Sequence, residues 1–451
     1  MVASSETSRR SGPAIQLLAW ISLLLAALIW IASLADSLQR PSVGNALEQR
    51  QLELEILASR GPAANLFKGL GVDEPERKLL QTLVDSEAAS SSPILLNRAL
   101  LETDLGQREA AQRHLRTVAS SGPAELQQLS KMLLERSETP LPKLILRPAY
   151  RLLSCAQLQR PLNQCLTAGE LNRASWRLAA VNLLPLLGVI VGVVLLLQAL
   201  WSLKGGDRWP AMPLQGPPLN LNETALLIAG GFVVLGEVIT PLVSLPLVNQ
   251  ITALAPLQQT PRAALQVFLL YSLTAVPALV LLALLLGQRG PRPQAGWLQW
   301  RPAAISWGQA LRGLLMSLPV VALLGWLVQL LWPSAGGSNP LLEQVLDGGS
   351  PVGLLLLALT ATVLAPFFEE LLFRGVLLPV VGQRWGAAAG ITVSAVVFSL
   401  AHLSLSEALP LFGLGMGLGL VRWRSGRLFS CAVMHGLWNG LTFANLLLLG
   451  S

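Results

Sequence analysis

Long apolar stretches, separated by short polar segments, recur along this chain. A bilayer core about 30 Å thick is crossed by about 20 apolar helical residues, so stretches of this kind predict membrane-spanning helices. The first covers residues 14–35, and together the stretches predict about nine spans. The remaining stretches are 178–203, 224–248, 263–286, 307–331, 351–380, 387–403, 408–421 and 428–449.

Residues 36–176, between the first two spans, follow a different pattern. They carry most of the acidic residues of the chain, and their apolar positions recur at helical spacing. We therefore expect a helical extramembrane insert between spans one and two. Within it, His114 lies between Arg113 and Arg116, and we expect it to be a solvated helix residue.

Part of the insert fits the spacing of one tetratricopeptide-type helical hairpin. Small residues at such positions let two antiparallel helices approach closely, but arrays of this type need about three repeats to be stable. A small helical bundle explains the same pattern, and both forms suit contact with a protein partner better than catalysis. The positions concerned are Ala99, Gly106, Ala111, Leu115 and Pro123.

The composition agrees with a membrane protein and excludes several other classes. Of 451 residues, 52% are hydrophobic and 13% are charged, whereas a soluble globular chain carries about 25% charged residues. This balance excludes an ordinary cytosolic enzyme, a disordered protein and a nucleic-acid-binding module. The predicted fold class is all-α, a polytopic helix bundle with the lipid bilayer as its surroundings.

The net charge of +7 is interpreted as a topology signal, because basic residues concentrate in cytoplasmic loops. On the nine-span count, eleven basic residues fall on one side, and the opposite loops carry Glu343, Asp347 and Glu407. This predicts a cytoplasmic N-terminus, with 36–176 outside the cytoplasm. The basic residues on the cytoplasmic side are Arg9, Arg10, Lys204, Arg208, Arg289, Arg292, Arg301, Arg384, Arg422, Arg424 and Arg427.

Three regions follow from this topology. Residues 1–35 form a cytoplasmic tail and membrane anchor, 36–176 a helical extracytoplasmic domain, and 177–451 an eight-span membrane domain. We expect an integral, multi-pass protein of the bacterial cytoplasmic membrane or of the thylakoid. Cys155 and Cys165 lie on the predicted oxidising side, where a disulfide and two free thiols both remain open, since spacing alone does not show how near their Cα atoms lie.

A cluster of charged residues lies inside one apolar stretch, where charge is costly and marks function by default. Glu370 and Arg374 are spaced i,i+4 with the acid first, the favoured order for a helical ion pair. Glu369 points about 100° away on the helix, so it is left without this counter-ion. A carboxylate in such a setting suits a general base.

Two of the three histidines also lie in predicted spans. His402 is near the end of one span, and His435 is one helical turn before Asn439, so these two share a helix face. Together with the glutamates they form a polar group within the membrane that suits water-using chemistry.

Glu-Glu-x-x-x-Arg, then Phe-x-x-x-His from Phe398, then His-x-x-x-Asn resembles the motif set of the CPBP family. This family comprises CAAX prenyl proteases and bacteriocin-processing intramembrane proteins, also called ABI proteins. The resemblance covers about residues 300–450 in its motifs and extends loosely to an eight-span core. The N-terminal anchor and residues 36–176 are not part of the family pattern.

The resemblance implies a glutamate-dependent intramembrane endopeptidase that needs no cofactor and cuts a membrane-embedded protein or peptide. By this likeness, Glu369 and His402 activate a water molecule, and His435 and Asn439 donate hydrogen bonds to the oxyanion. Glu370 and Arg374 then organise the site.

Other interpretations remain open. Glu369, His402 and His435 are also residue types that bind zinc. A non-proteolytic scaffold or maturation factor of the same family, and a transporter that relays protons through Glu237 and Glu369, are alternatives. Glu237 itself either lines a substrate cavity or bonds to a neighbouring span. The glycines at 413, 415, 417 and 419 form small-x-x-x-small pairs that allow close helix packing.

Overall fold

The structure is a computed structural model in which every described regular element is a helix. It describes residues 11–39, 43–69, 71–86, 88–136, 146–204, 214–255, 259–287, 297–332, 345–346 and 350–450. Several charged residues that predict the orientation lie outside these ranges, namely Arg9, Arg10, Arg208, Arg289, Arg292, Glu343 and Asp347.

The described helices are numbered in chain order. They are α1 (Pro13–Ser37), α2 (Val43–Ser59), α3 (Ala64–Gly69), α4 (Pro75–Val84), α5 (Ser92–Asp104), α6 (Arg108–Ser121), α7 (Ala124–Glu135), α8 (Pro148–Gln157), α9 (Ala168–Lys204), α10 (Leu221–Leu254), α11 (Gln259–Gly287), α12 (Ala304–Leu331), α13 (Pro351–Trp385), α14 (Ala387–Leu400), α15 (Leu405–Ser425) and α16 (Leu428–Gly450). The chain divides into two compact units, one of residues 1–42 and 186–447 and the other of residues 43–185 and 448–451.

The unit of residues 43–185 has its own apolar core. Helices α5 and α6 pack against each other as the predicted hairpin, with Ala99, Ala111 and Leu115 buried between them. Gly106 lies in the connecting turn with φ +79°, a conformation that glycine adopts without a Cβ clash.

His114 corrects one expectation for this unit. Its Nδ1 lies 2.9 Å from Oε2 of Glu102, and the Glu102 side chain is only 5% exposed. Because α6 covers α5 at this point, His114 is a partly buried partner of a buried carboxylate, and not a solvated residue.

Cys155 and Cys165 form a disulfide, which decides between the two alternatives left open. Cys155 is buried near the end of α8, and Cys165 precedes α9. Their Cα atoms are 6.2 Å apart, within the usual range for this bond.

The polytopic all-α fold is confirmed. Eight of the nine apolar stretches are helical throughout and the stretch 387–403 is helical up to Leu400. Seven described helices are long and apolar enough to cross a membrane, namely α1, α9, α10, α11, α12, α13 and α16. Helix α14 has 14 residues and is about 21 Å long, so it is shorter than a bilayer core. Helix α15 carries Glu407, Arg422 and Arg424 near its ends and is not among the seven.

The glycines of α15 face two different neighbours. A Cβ on Gly413 would lie 2.6 Å from Cδ1 of Leu324 in α12, and a Cβ on Gly417 would overlap Ser317 of the same helix. On the opposite side, a Cβ on Gly415 would lie 3.0 Å from Cα of Ala395 in α14. The predicted pairs therefore allow α15 to pack closely between α12 and α14.

Arg422 is a second correction. The sequence predicts that it lies in a cytoplasmic loop. In the structure it belongs to α15, and its side chain is buried. Its guanidinium donates to the carbonyl oxygens of Arg374 at 3.2 Å, Gln215 at 3.1 Å and Trp297 at 2.8 Å, and also to that of Gly426. Because α15 continues to Ser425, this cation lies inside the fold and joins the backbone of separate segments.

Candidate active site

Helix α13 carries both glutamates between two stretches of widened helix. Its start is capped by Ser350, whose Oγ accepts a hydrogen bond from the N–H of Gly353 at 3.1 Å. The residues at 360–364 and 371–377 have π-helical hydrogen bonding, and a six-residue α-helical segment, Ala365–Glu370, lies between them. Such widened turns occur often at functional sites, where they change the direction of the side chains.

Pro366 explains why a neighbouring helix can bond to α13 here. It has no backbone N–H, so carbonyl groups about one turn before it lack a helical donor. The carbonyl oxygen of Ala361 instead accepts a hydrogen bond of 2.8 Å from Nδ2 of Asn439. Gly436 allows this approach, since a Cβ there would lie 2.6 Å from the carbonyl oxygen of Thr362.

The predicted ion pair between Glu370 and Arg374 is confirmed. Nη1 of Arg374 donates to Oε1 of Glu370 at 2.9 Å, and both side chains are fully buried. Nη2 of Arg374 donates to the carbonyl oxygen of Gly415 at 3.2 Å, and its guanidinium carbon lies 4.4 Å from the ring centre of Phe398. The pair thus holds α13 against α14 and α15.

His435 contacts both glutamates. Its Nδ1 lies 3.0 Å from Oε1 of Glu370, and because a carboxylate only accepts, Nδ1 carries the proton. This leaves Nε2 directed towards Glu369, whose Oε2 is 4.0 Å away. The His435 ring therefore connects the buried ion pair to the second carboxylate.

The two carboxylate oxygens of Glu369 differ, since one accepts a hydrogen bond from a described residue and the other does not. Its Oε1 accepts a hydrogen bond of 2.9 Å from the hydroxyl of Tyr271. Its Oε2 is buried and has no hydrogen-bond partner among the described residues. The side chain is 15% exposed, so this carboxylate combines burial with an unused acceptor, as a general base requires.

His402 lies just beyond the end of α14. Its Nδ1 donates to the carbonyl oxygen of Phe398 at 2.8 Å, since a carbonyl only accepts, and Nε2 is then the unprotonated nitrogen of the neutral ring. The ring centre of Phe398 is 4.8 Å from that of His402 and 5.5 Å from that of His435. One aromatic ring therefore packs against both histidines.

The described residues contain no group of three or more His, Cys, Asp and Glu side chains that could hold a metal ion. Glu369, His402 and His435, the set considered for zinc, are thus not arranged as such a site in this structure.

Comparison with known proteins bears directly on this group of residues. Residues 351–441 match the family model of the type II CAAX prenyl endopeptidases, Rce1-like. They form a domain of that family. The domain contains Glu369, Glu370, Arg374, His402, His435 and Asn439.

The match to the endopeptidase family is evidence for an intramembrane endopeptidase activity in general. Together with the seven apolar helices, it indicates an integral, multi-pass membrane protein. Residues 44–176 match a domain of unknown function, DUF8675. No curated protein and no solved structure matches the chain.

Two site residues lie outside the matched segment of the endopeptidase domain. Tyr271 of α11, which bonds to Glu369, was not predicted from the sequence. The only signal was its rarity, since the chain has two tyrosines. Glu237 of α10 has a buried Oε2 without a hydrogen-bond partner in the described part of the chain, and it interacts electrostatically with Glu369. Glu237 therefore lies beside the site.

Proposed function

We propose that the protein is a glutamic intramembrane endopeptidase of the CPBP type, which hydrolyses a peptide bond of a membrane-embedded protein or peptide. One observation supports this most directly. The unbonded Oε2 of Glu369 lies 4.0 Å from Nε2 of His435, which is itself fixed by the buried ion pair of Glu370 and Arg374. A polar pair of this kind is energetically costly inside a membrane. Such residues are rare there and, where they occur, mark a functional site.

The separation of these two atoms suits a water molecule. A water about 2.8 Å from each would bond to both, given their distance of 4.0 Å. In the proposed step, Glu369 takes a proton from this water while the water oxygen attacks the peptide carbonyl carbon. His402, with Nε2 unprotonated, assists the activation of the water, as the family resemblance implies.

The resulting tetrahedral intermediate carries a negative oxygen that needs donors. Asn439 retains one Nδ2 hydrogen beyond its bond to Ala361, and His435 is the second donor, as the family resemblance implies. Both groups are directed in advance by contacts within the fold, which is how such donors lower a barrier. The proton held by Glu369 then passes to the leaving amide nitrogen as the C–N bond breaks, and a carboxylic acid and an amine are released.

The proposal uses no cofactor and places the protein in a bacterial cytoplasmic membrane or in the thylakoid, with a cytoplasmic N-terminus. Residues 36–176 would then bind a protein partner on the opposite side. Glu102 paired with His114 and the disulfide of Cys155 with Cys165 support a rigid, folded domain there.

The test begins with substrate trapping. Full-length Glu369→Gln, which keeps the shape of the side chain but not its basicity, is purified with its bound proteins from native membranes, and these are identified by mass spectrometry. Each candidate is then incubated in liposomes with the unmodified enzyme. We expect Glu369→Gln to lower the cleavage rate at least about 100-fold, and His402→Ala to abolish cleavage without unfolding.

Glu125→Gln, the same chemical change at an exposed position of α7, is the matched control and should cleave at the normal rate. Near-normal cleavage by purified Glu369→Gln would reject the mechanism. Normal cellular function in that variant would instead indicate a non-proteolytic scaffold. A strong chelator should leave the rate unchanged, whereas loss that zinc restores would favour the metal alternative.

A further inference from the structure

A cavity of about 440 Å³ lies between α12 and α15, within the unit that contains the endopeptidase domain. Its volume is in the range of small-molecule sites. Part of its wall is helix backbone, because three lining positions are glycines. The lining includes Arg312, Met316, Val320, Gly413, Gly417 and Arg424.

The cavity has a charged end and an apolar end. On α12, Arg312, Met316 and Val320 are spaced i, i+4 and i+8, so they follow one helix face from a cation to apolar side chains. On α15, the lining runs in the opposite direction, from Gly413 to Arg424 and Ser425. Gly313 of α12 packs against Val421 of α15, so Arg312 and Arg424 lie at the same end of the cavity. An anion at this end would face both guanidinium groups.

The cavity is separate from the endopeptidase site. Gly413 and Gly417 face α12, whereas Gly415, between them in sequence, faces Ala395 and Arg374. Helix α15 therefore lies between the cavity and the buried ion pair. None of the catalytic candidates lines the cavity.

We propose that this cavity binds an anionic phospholipid of the surrounding bilayer, with its phosphate at Arg312 and Arg424 and an acyl chain along Met316 and Val320. Arginine suits phosphate because its planar group donates paired hydrogen bonds. Basic pockets between membrane helices are established sites for anionic lipid headgroups. The apolar side chains of the lining, which include Leu196 and Leu420, suit a hydrocarbon chain better than a soluble phosphate.

The experiment counts bound lipid on the full-length protein. Glu369→Gln protein is used throughout, so that the result does not depend on proteolysis. It is titrated with phosphatidylglycerol, with phosphatidylcholine and with inorganic phosphate, and binding is measured by native mass spectrometry. We expect one phosphatidylglycerol to bind more tightly than phosphatidylcholine, and inorganic phosphate to bind far more weakly than either.

Arg312→Gln and Arg424→Gln should each weaken phosphatidylglycerol binding about fivefold, the effect of about 1 kcal/mol per arginine. Arg384→Gln, an exposed arginine outside the cavity, is the matched control and should leave binding unchanged. Val320→Trp, which fills the apolar end and keeps both arginines, should also prevent binding. The proposal would be overturned if the two lipids bound equally well. It would also be overturned if Arg384→Gln weakened phosphatidylglycerol binding as much as Arg312→Gln and Arg424→Gln do, or if Val320→Trp left this binding unchanged.

Discussion

At the level of single residues, the carboxylate of Glu369 is oriented by a phenol. Tyr271 donates to Oε1 at 2.9 Å, which leaves Oε2 as the oxygen that faces His435. A hydrogen bond to a charged group contributes about 1.5–3 kcal/mol. Tyr271 is therefore a positioning residue, since it acts on Glu369 and is not assigned a contact with the substrate.

The corresponding prediction concerns Tyr271→Phe. Removing the hydroxyl frees the carboxylate to rotate, so we expect kcat to fall about tenfold, as about 1.4 kcal/mol implies, while KM stays unchanged. Steady-state cleavage of a trapped substrate in liposomes measures both constants. Tyr150→Phe, at the other tyrosine of the chain, is the control. A normal kcat in Tyr271→Phe would show that Glu369 needs no such support.

Sequence patterns predict local contacts at this scale but miss distant ones. The Glu370–Arg374 pair was predicted because i,i+4 spacing determines which side chains meet on one helix. Tyr271 and Glu369 are 98 positions apart and meet only because two helices pack, for which spacing gives no rule. For the same reason, the bond between His435 and Glu370 was not predicted.

At the level of helices, Arg422 joins segments that the sequence does not connect. Its donors satisfy carbonyl groups of separate backbone segments, one of them that of Arg374 in α13. The positive-inside pattern counts charges but does not tell a solvated arginine from a buried one. That is why Arg422 was assigned to a loop, while the helical nature of each apolar stretch was predicted correctly.

Arg422→Ala should lower the free energy of unfolding by about 3 kcal/mol, because it leaves buried carbonyl groups without donors, each at a cost of about 1–3 kcal/mol. Arg422→Lys should recover only part of this stability, since one ammonium cannot reproduce the planar arrangement. The shift of the thermal unfolding midpoint in detergent reports the loss of stability in each of the two variants. Arg384→Ala, which is exposed, should change the midpoint little. Equal midpoints for Arg422→Ala and Arg384→Ala would contradict this role.

At the level of the whole molecule, the disulfide bears on topology. Disulfides persist in oxidising compartments, so the pair of Cys155 and Cys165 supports the prediction that residues 36–176 lie outside the cytoplasm. The pairing itself was beyond sequence reasoning, because the approach of two Cα atoms depends on how α8 and the start of α9 pack.

Labelling of intact cells tests this orientation. After mild reduction, a membrane-impermeant maleimide should modify Cys165, the less buried partner of the disulfide, in intact spheroplasts. A cysteine placed by Lys204→Cys, at the predicted cytoplasmic end of α9, should be labelled only after the membrane is permeabilised. Cys431 is fully buried and serves as an internal background. The reverse labelling pattern would invert the proposed topology.

Pro366 has a consequence for the chemistry, although its own side chain has no polar atom. The amide group of an asparagine can be turned by 180° with little change in shape, so its two ends are often interchangeable. Here the acceptor left by the missing N–H fixes which end is which, because only Nδ2 of Asn439 can bond to the carbonyl oxygen of Ala361. Any other residue at 366 would supply a backbone N–H at this turn, so the carbonyl oxygen would no longer depend on Asn439 for its donor. The missing N–H of a proline in α13 thus helps to fix the orientation of the Asn439 amide in α16.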